Sequence, residues 1–156
     1  MALTTPKFEV RSFSYERRAQ KADLNYPPCK GQMLLVISGK EGVVLSRKGP
    51  RGKWGLPSGR IGAVEEPLTA AKRIAGEEGG VMVRSLELAG MYDVIWHYAD
   101  ISVKRLHLVY AAVTEDDGCS EELLKKGTEA RFHADLPDSL LRDDIVSSAL
   151  ADCSEK

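Results

Sequence analysis

Two adjacent carboxylates, Glu77 and Glu78, carry the clearest chemical signal in this sequence. They come at the end of a short predicted helix, where acidic side chains oppose the helix dipole. Two carboxylates at such a junction suit a hard cation: Mg²⁺ takes oxygen ligands, keeps several waters and typically uses one or two carboxylates plus substrate phosphates. The pair therefore predicts a magnesium site that handles phosphate groups.

The helix that carries the pair has a defined start and end in the sequence. Pro67 suits the first helical position, because its missing N–H is not needed there and its fixed φ is already helical. Glu65 and Glu66 precede it and favour the positive end of the helix dipole. The Gly79-Gly80 pair provides a helix stop.

Residues 59–81 as a whole resemble the signature of the Nudix hydrolases, Gly-x5-Glu-x7-Arg-Glu-(apolar)-x-Glu-Glu-x-Gly-(apolar). The residues in register with that signature are Gly59, Glu65, Arg73, Glu77, Glu78, Gly80 and Val81, with Ala75 in an apolar slot. A weaker likeness over residues 31–150 includes the segment 131–137 and a terminal helix. The sequence departs from the signature at Ile74, where the family carries a glutamate.

The resemblance implies an α/β (α+β) fold, the Nudix α/β/α sandwich with a mixed sheet. We predict a single domain over residues 1–156, with an N-terminal strand and extension over 1–30 and a core over 31–150. Runs rich in β-branched and aromatic residues predict the strands. The predicted strands cover residues 8–14, 33–38, 42–48, 81–87, 90–98 and 103–113, and a second helix covers 140–153. Residues 15–30, 49–59 and 114–127 are expected to be connections.

By resemblance, the protein is expected to be a metal-dependent pyrophosphohydrolase that cleaves a nucleoside diphosphate linked to another group. Glu77 and Glu78 would hold Mg²⁺ or Mn²⁺ together with the carbonyl of Ser58. Glu65 would support the site, and Arg73 would orient the carboxylates. The cofactor would neutralise the diphosphate and activate water.

Ile74 opens an alternative, because it can neither bind metal nor transfer a proton. Either another carboxylate supplies the missing function, or the chain is a degenerate Nudix domain that binds a nucleotide or phosphate ligand with little or no turnover. Candidates for the further carboxylate are Glu66, Asp116, Asp117, Glu121, Glu122 and Glu129.

Basic and aromatic residues supply candidates for substrate binding. Those that could clamp phosphates are Arg47, Lys48, Arg51 and Lys53, which lead to Trp54. Those that could stack on a nucleobase are Tyr92, Trp96, His97 and Tyr98. His107, between Leu106 and Leu108, is expected to be a satisfied sheet histidine. The sequence does not identify the substrate beyond a nucleotide or nucleoside diphosphate derivative.

Composition narrows the class of protein. A chain of 156 residues with 43% hydrophobic and 29% charged residues is an ordinary globular domain. A net charge of -1 gives no strong nucleic-acid signal, and the apolar runs are too short to span a membrane. Three cysteines, Cys29, Cys119 and Cys153, lack zinc spacing, which together with the absence of a signal-peptide pattern predicts a cytoplasmic protein. The oligomeric state stays open, a homodimer included.

Overall fold

A mixed β-sheet with one helix on each face organises the chain. The computed structural model describes residues 10–22, 29–140 and 144–154. Their elements are β1 (Val10–Arg17), β2 (Cys29–Gly39), β3 (Gly42–Lys48), β4 (Ser58–Gly62), α1 (Pro67–Gly79), β5 (Ser85–Tyr98), β6 (Ser102–Val113), β7 (Thr128–His133) and α2 (Asp144–Ser154). The sheet order is β1-β5-β6-β2-β3-β7, and β4 pairs with β2 outside this path.

Strand β2 lies at the centre of the sheet because its side chains are apolar on both faces. It pairs in parallel with β6, with Met33 opposite Leu108, and antiparallel with β3 and β4. Successive side chains of a strand point to opposite faces. Met33, Leu35 and Ile37 accordingly belong to the core under α1, whereas Leu34 and Val36 belong to the core under α2.

The two helices bury different parts of the chain against these two faces. The α1 core contains Ala70, Ala71, Ile74 and Ala75 from the helix, all fully buried. The α2 core contains Ile145, Val146 and Ala149. Together with the sheet they form the predicted α/β/α sandwich, and this fold prediction is confirmed.

Helix α1 has the boundaries that its proline and glycines predict. Pro67 begins the helix, and Gly80 ends it in the left-handed conformation with φ of 64°. The N–H groups of Gly80 and Val81 donate to the carbonyls of Gly76 and Ala75, which satisfies carbonyls that a helix end otherwise leaves unpaired.

Several predicted boundaries were wrong. Strand β1 runs to Arg17, so residues 15–17 are not a connection; residues 8, 9 and 23–28 lie outside the described part. The predicted strands 81–87 and 90–98 are one strand, β5, which starts at Ser85 and carries a bulge between Leu88 and Gly90. Strand β4 starts inside the segment 49–59 that was expected to be a loop.

Within the described residues, no helix has the length and apolar character needed to cross a membrane. Cys119 is a free thiol. Burial raises the pKa of the Cys119 thiol, and the nearby Asp116 adds to this effect.

Candidate active site

Arg73 joins the loop before α1 to the last turn of that helix. Its guanidinium donates to both carboxylate oxygens of Glu65, at 2.8 and 3.0 Å, and to Oε2 of Glu77 at 3.1 Å. It also donates to the carbonyl oxygen of Arg60 on β4, at 2.7 Å. The guanidinium is planar and carries five N–H donors, so it can hold such a set in one geometry. Arg73 thus fixes Glu77 relative to β4.

Glu65 is held in its ionised form. The hydrogen bond from Arg73 is the main cause that lowers the pKa of this carboxyl to about 2. The backbone N–H of Gly62, 3.0 Å from Oε1, acts in the same direction. In turn, the pKa of Arg73 is raised, chiefly by its hydrogen bond to Glu65. Both Glu65 and Arg73 are therefore charged near neutral pH.

Glu77 and Glu78 have different surroundings although they are adjacent. The Glu77 side chain is 41% exposed and contacts Arg73, whereas that of Glu78 is only 12% exposed. Glu78 accepts a hydrogen bond of 2.6 Å from Nζ of Lys48, which also donates to Thr128 on β7. Each carboxylate of the pair thus contacts a basic side chain of the protein.

One cavity brings the signature residues together. It has a volume of about 510 Å³. Its lining includes Ser58, Gly59, Glu65, Arg73, Ile74, Glu77 and Glu78, together with Arg60, Gly62 and Lys125. The predicted metal and catalytic residues therefore surround one space, while their individual roles stay predictions.

Ile74 forms the apolar floor of this cavity and is fully buried. A Cβ atom added to Gly59 would lie 3.1 and 3.2 Å from Cγ1 and Cδ1 of Ile74, closer than an ordinary contact. Strand β4 thus approaches α1 so closely here that a side chain at residue 59 would require Ile74 to shift by a few tenths of an ångström. The sequence predicts Ile74 between the two glutamates; the structure adds that it packs in the core beneath them.

A second cavity adjoins the first through Ser58 and Glu78, which line both. Its volume is about 500 Å³. Basic and aromatic lining residues are Arg17, Arg47, Lys48, Lys53, Tyr15, Trp96 and His107, and Ile145 and Val146 of α2 close one side. Trp96 stacks on Tyr15 with ring centroids 4.8 Å apart. Carboxylates, cations and aromatic rings thus face one continuous cleft.

The predicted phosphate clamp divides into residues with different surroundings. Lys48 and Lys53 line the second cavity, and so does Arg47. Arg47 is also held by Glu129 at 2.9 Å and lies over the ring of Trp54, 4.4 Å from its centroid. Arg51 is exposed and lines neither cavity, and its place in the clamp stays a prediction.

Of the four predicted stacking residues, only Trp96 lines the second cavity. Tyr92 is fully buried under α2, where its hydroxyl donates to Asp152 at 2.7 Å, so it cannot stack on a base. Burial and this bond raise the pKa of Tyr92 well above its ordinary value. His97 lies between Ser102 and Ser14, 2.8 Å from each hydroxyl. Trp96 and His97 are consecutive in β5, so their side chains point to opposite faces of the sheet.

The family model of the NUDIX domain matches residues 29–133. The chain belongs to the NUDIX domain family. Membership supports a hydrolase that acts on phosphoric anhydride bonds, and the predicted family and enzyme class are confirmed. Among curated proteins, none matches this sequence.

Solved structures share the fold of this Nudix protein. A NUDIX hydrolase from Nitrosomonas europaea superimposes with a TM-score of 0.62 and 22% identity, covering 82% of this chain and 90% of that one. The Bacillus subtilis pyrophosphohydrolase BsRppH, in mutant form, gives 0.61 and 18%, covering 86% and 87%. A structure described as an ADP compounds hydrolase gives 0.57 and 16%, covering 83% and 73%. At these identities the likeness concerns the fold.

None of the predicted further carboxylates joins Glu77 and Glu78 in the Nudix cavity. Glu129 is held by Arg47 and Arg131, and Asp116 accepts from the N–H of Met82. The remaining candidates, Glu66, Asp117, Glu121 and Glu122, are exposed outside its lining. Across the described ranges, no group of three His, Cys, Asp or Glu side chains is placed to hold a metal ion.

The donors that remain fit a magnesium ion of the kind that binds with its substrate. Two carboxylates, Glu77 and Glu78, face the same cavity as Ser58. Mg²⁺ commonly takes one or two carboxylates and completes its octahedron with waters and substrate phosphates. The set is too small for an ion held by protein groups alone, and it suits one that arrives with a diphosphate.

The sequence did not identify Tyr15, Arg17 and Gln32, which line the second cavity, or Arg60, which lines the first. It also did not identify Arg105, which lies in a neighbouring depression with Arg17, Gln32 and Arg60. Tyr15 and Arg17 were assigned to a connection, yet both lie on β1, which pairs in parallel with β5. Parallel pairing joins segments that are distant in sequence. The alternation of Phe13, Tyr15 and Arg17 at every second position could have predicted that the strand continues to residue 17.

Proposed function

We propose that this Nudix protein is a metal-dependent pyrophosphohydrolase that cleaves a nucleoside diphosphate linked to another group. The observation that carries the proposal is the continuity of the two cavities. Glu78 and Ser58 belong to both, so an ion at the carboxylates would lie beside the space lined by Trp96 and the lysines. A diphosphate at the junction would reach the ion while its nucleoside occupies the second cavity.

Glu77, Glu78 and the carbonyl of Ser58 are the groups proposed to hold Mg²⁺ or Mn²⁺. When bound, such an ion neutralises the diphosphate and lowers the pKa of a coordinated water. Arg73 acts as a positioning residue, since it holds Glu77 by one hydrogen bond and is itself fixed by Glu65.

The proposed substrate contacts come from the second cavity. Lys48 and Lys53 offer ammonium groups for phosphate oxygens, and Trp96 offers a ring beside which a base can bind. Arg47 lines the same cavity, and its guanidinium is oriented by the hydrogen bond to Glu129 and the contact with the ring of Trp54. A fold neighbour described as an ADP compounds hydrolase supports a nucleotide as ligand.

One observation favours a second function, nucleotide binding with little or no turnover. Both carboxylates already contact protein cations, Glu77 with Arg73 and Glu78 with Lys48. Ile74, at the place of a family glutamate, is buried and apolar. Because Arg73 and Lys48 offset the charges of the two carboxylates, the site can hold an anionic ligand even where catalysis is weak.

A substrate screen tests the proposal. Nucleoside di- and triphosphates, dinucleoside polyphosphates, ADP-ribose and NAD are incubated with Mg²⁺ or Mn²⁺ and scored for product. We expect metal-dependent cleavage of at least one compound, and its loss in Glu78→Gln. Binding of a nucleotide without product would support the second function instead. Absence of both binding and cleavage across the panel would contradict both.

A further inference from the structure

A basic depression of about 300 Å³ lies next to the substrate cleft. Three arginines line it, Arg17, Arg60 and Arg105. The other lining residues are Gln20, Gln32, Trp96, Tyr98, Val103 and His107. The described part of the lining thus carries three positive charges and includes no carboxylate. Such an arrangement creates a local positive potential that attracts anions.

The strand register explains why three arginines from distant parts of the sequence meet here. Gln32 on β2 pairs with Arg60 on β4 on one side and with His107 on β6 on the other. Arg105 is two residues before His107, so both side chains point to the same face of the sheet. Three neighbouring strands thus contribute polar side chains to one wall.

Strand β1 supplies the third arginine from the opposite side. Arg17 pairs with Tyr98 on β5, and its guanidinium lies 5.0 Å from the ring centroid of Trp96. This cation–π contact orients the guanidinium over the aromatic wall. The residue is otherwise exposed, so its donors face solvent at the rim of the depression.

Helix α2 covers only part of this face. Its Ile145 and Val146 line the adjoining substrate cavity, but no residue of α2 in the described part lines the depression. Among the described residues, the depression is lined by side chains of β1, β2, β4, β5 and β6 and by Gln20. It adjoins the substrate cavity through Gln32 and His107, which line both.

The depression is continuous with both parts of the proposed active site. It shares Arg17, Gln32, Trp96 and His107 with the substrate cavity. It shares Arg60 with the cavity of Glu77 and Glu78. A chemical group bound there can therefore belong to the molecule whose diphosphate lies at the carboxylates.

We propose that the depression binds a phosphate monoester carried by the substrate at a distance from the diphosphate that is cleaved. This inference rests on the proposed function and narrows its substrate class to nucleoside diphosphate derivatives with an additional phosphate ester. The planar guanidinium matches the geometry of phosphate oxygens, and it stays charged at every physiological pH. Arg17 and Arg105 are the specificity-determining residues.

A matched pair of ligands tests the inference. ADP-ribose and ADP-ribose 2′-phosphate differ only in the extra monoester. Their affinities for the full chain are compared by calorimetry with Ca²⁺ present. We expect wild type to bind the phosphorylated ligand about tenfold more tightly, as one charge-assisted contact implies. Because salt screens exposed charges, this ratio is expected to shrink as ionic strength rises.

Arginine variants assign the preference to the depression. Arg17→Gln and Arg105→Gln are each expected to reduce the ratio of the two affinities several-fold. Arg84→Gln serves as the matched control, because Arg84 pairs with Glu115 at the surface and lines none of the three cavities. Thermal melts of all three variants confirm that each is folded before the ratios are compared.

The outcomes separate this inference from the proposed function. Equal affinity of wild type for both ligands overturns the phosphate subsite and leaves the nucleotide site intact. A preference that persists in both Arg17→Gln and Arg105→Gln also overturns it. If neither ligand binds while the substrate screen finds another nucleotide that is cleaved, the subsite falls and the hydrolase stands. If the screen fails as well, both fall.

Discussion

The ammonium of Lys48 lies 2.6 Å from a carboxylate oxygen of Glu78. Lys48 comes from the end of β3, where it is also bonded to Thr128, its partner across the strand pair. The Glu78 side chain is 12% exposed, against 65% for Lys48. A mostly buried carboxylate thus faces an exposed cation that lines the second cavity. A divalent ion that binds Glu78 through the same oxygen, Oε2, competes with this ammonium.

The first prediction follows from this competition. Lys48→Met keeps the length of the side chain and removes its charge, so we expect the affinity for Mn²⁺ in the absence of nucleotide to rise. The expected gain is roughly 1.4- to fivefold, which corresponds to a partly exposed ion pair of roughly 0.2–1 kcal/mol. Calorimetric titration measures it. Lys53→Met, a lysine of the same cavity, is the control, and an equal gain in both variants would show a general charge effect instead.

The second prediction is that metal binding depends on both helix acids. We expect Glu77→Gln and Glu78→Gln each to weaken Mg²⁺ or Mn²⁺ binding at least about tenfold, since even indirect partners of a metal ligand are worth about that much. Calorimetry with a non-hydrolysable nucleotide present provides the measurement. Glu122→Gln, at an exposed position outside the cavity, should bind as wild type does. Unchanged affinity in both site variants would refute the proposed metal site.

The third prediction concerns the pH dependence of stability. The pKa of Glu65 falls from an ordinary 4.5 to about 2 in the folded protein. A lowered folded-state pKa stabilises the protein above the unfolded value, and this contribution is lost as pH falls from about 4.5 through about 2. At neutral pH, Glu65→Gln should therefore be less stable, by on the order of 1 kcal/mol once solvent screening is allowed for.

Urea unfolding between pH 7 and pH 2.5 checks this prediction. The difference in free energy of unfolding between wild type and Glu65→Gln should shrink as the pH falls below 4.5. In an Arg73→Gln background, the same substitution should have a much smaller effect, because the hydrogen bond from Arg73 is the main cause of the shift. A difference that stays constant with pH would mean that the ion pair does not contribute.

The fourth prediction concerns the contact of Gly59 with Ile74. A valine at position 59 would press on Cγ1 and Cδ1 of Ile74, and overpacking of this kind costs roughly 1–3 kcal/mol. We therefore expect Gly59→Val to lower stability. Ile74→Ala should offset part of the loss in Gly59→Val, although alone it is destabilising. A double-mutant cycle by urea unfolding measures the coupling, and strictly additive effects would contradict the contact.

The centre of the fold could be predicted from the sequence because its signals are local. The run Met33 to Ile37 is apolar at every position, as a strand buried on both faces must be. Pro67 and Gly80 likewise mark the ends of α1. The site residues in the signature follow from their spacing along one loop and one helix. Long-range pairing played little part in these predictions.

The other wall of the cleft could not be predicted, because it depends on pairings between distant segments. Strand β4 contains two glycines and is only five residues long, so its pattern resembles a loop. Arg60 meets Gln32 only through the pairing of β4 with β2. Tyr15 meets Trp96 only through a parallel pair whose strands are far apart in sequence. The register, rather than composition or spacing, creates the basic depression.

The last prediction concerns Ile74, where this chain departs from the Nudix signature. Ile74 is fully buried yet lines the carboxylate cavity, so Ile74→Glu would add a charge at the boundary between core and site. Burying a carboxylate without a partner is costly, and we expect stability in chelator to fall by about 2 kcal/mol or more. If the new carboxylate reaches the ion, Mg²⁺ recovers part of that loss through binding linkage.

Ile74→Gln is the matched control, because it has the same size and polarity without the charge. Thermal melts of wild type and both variants are recorded in chelator and in Mg²⁺, beside the substrate screen. The metal-dependent recovery should be larger for Ile74→Glu than for Ile74→Gln, and cleavage should increase only in the former. Equal losses with and without Mg²⁺ in both variants would mean that a side chain at position 74 points into the α1 core, away from Glu77 and Glu78. The activity of the natural protein would then depend on those two carboxylates alone.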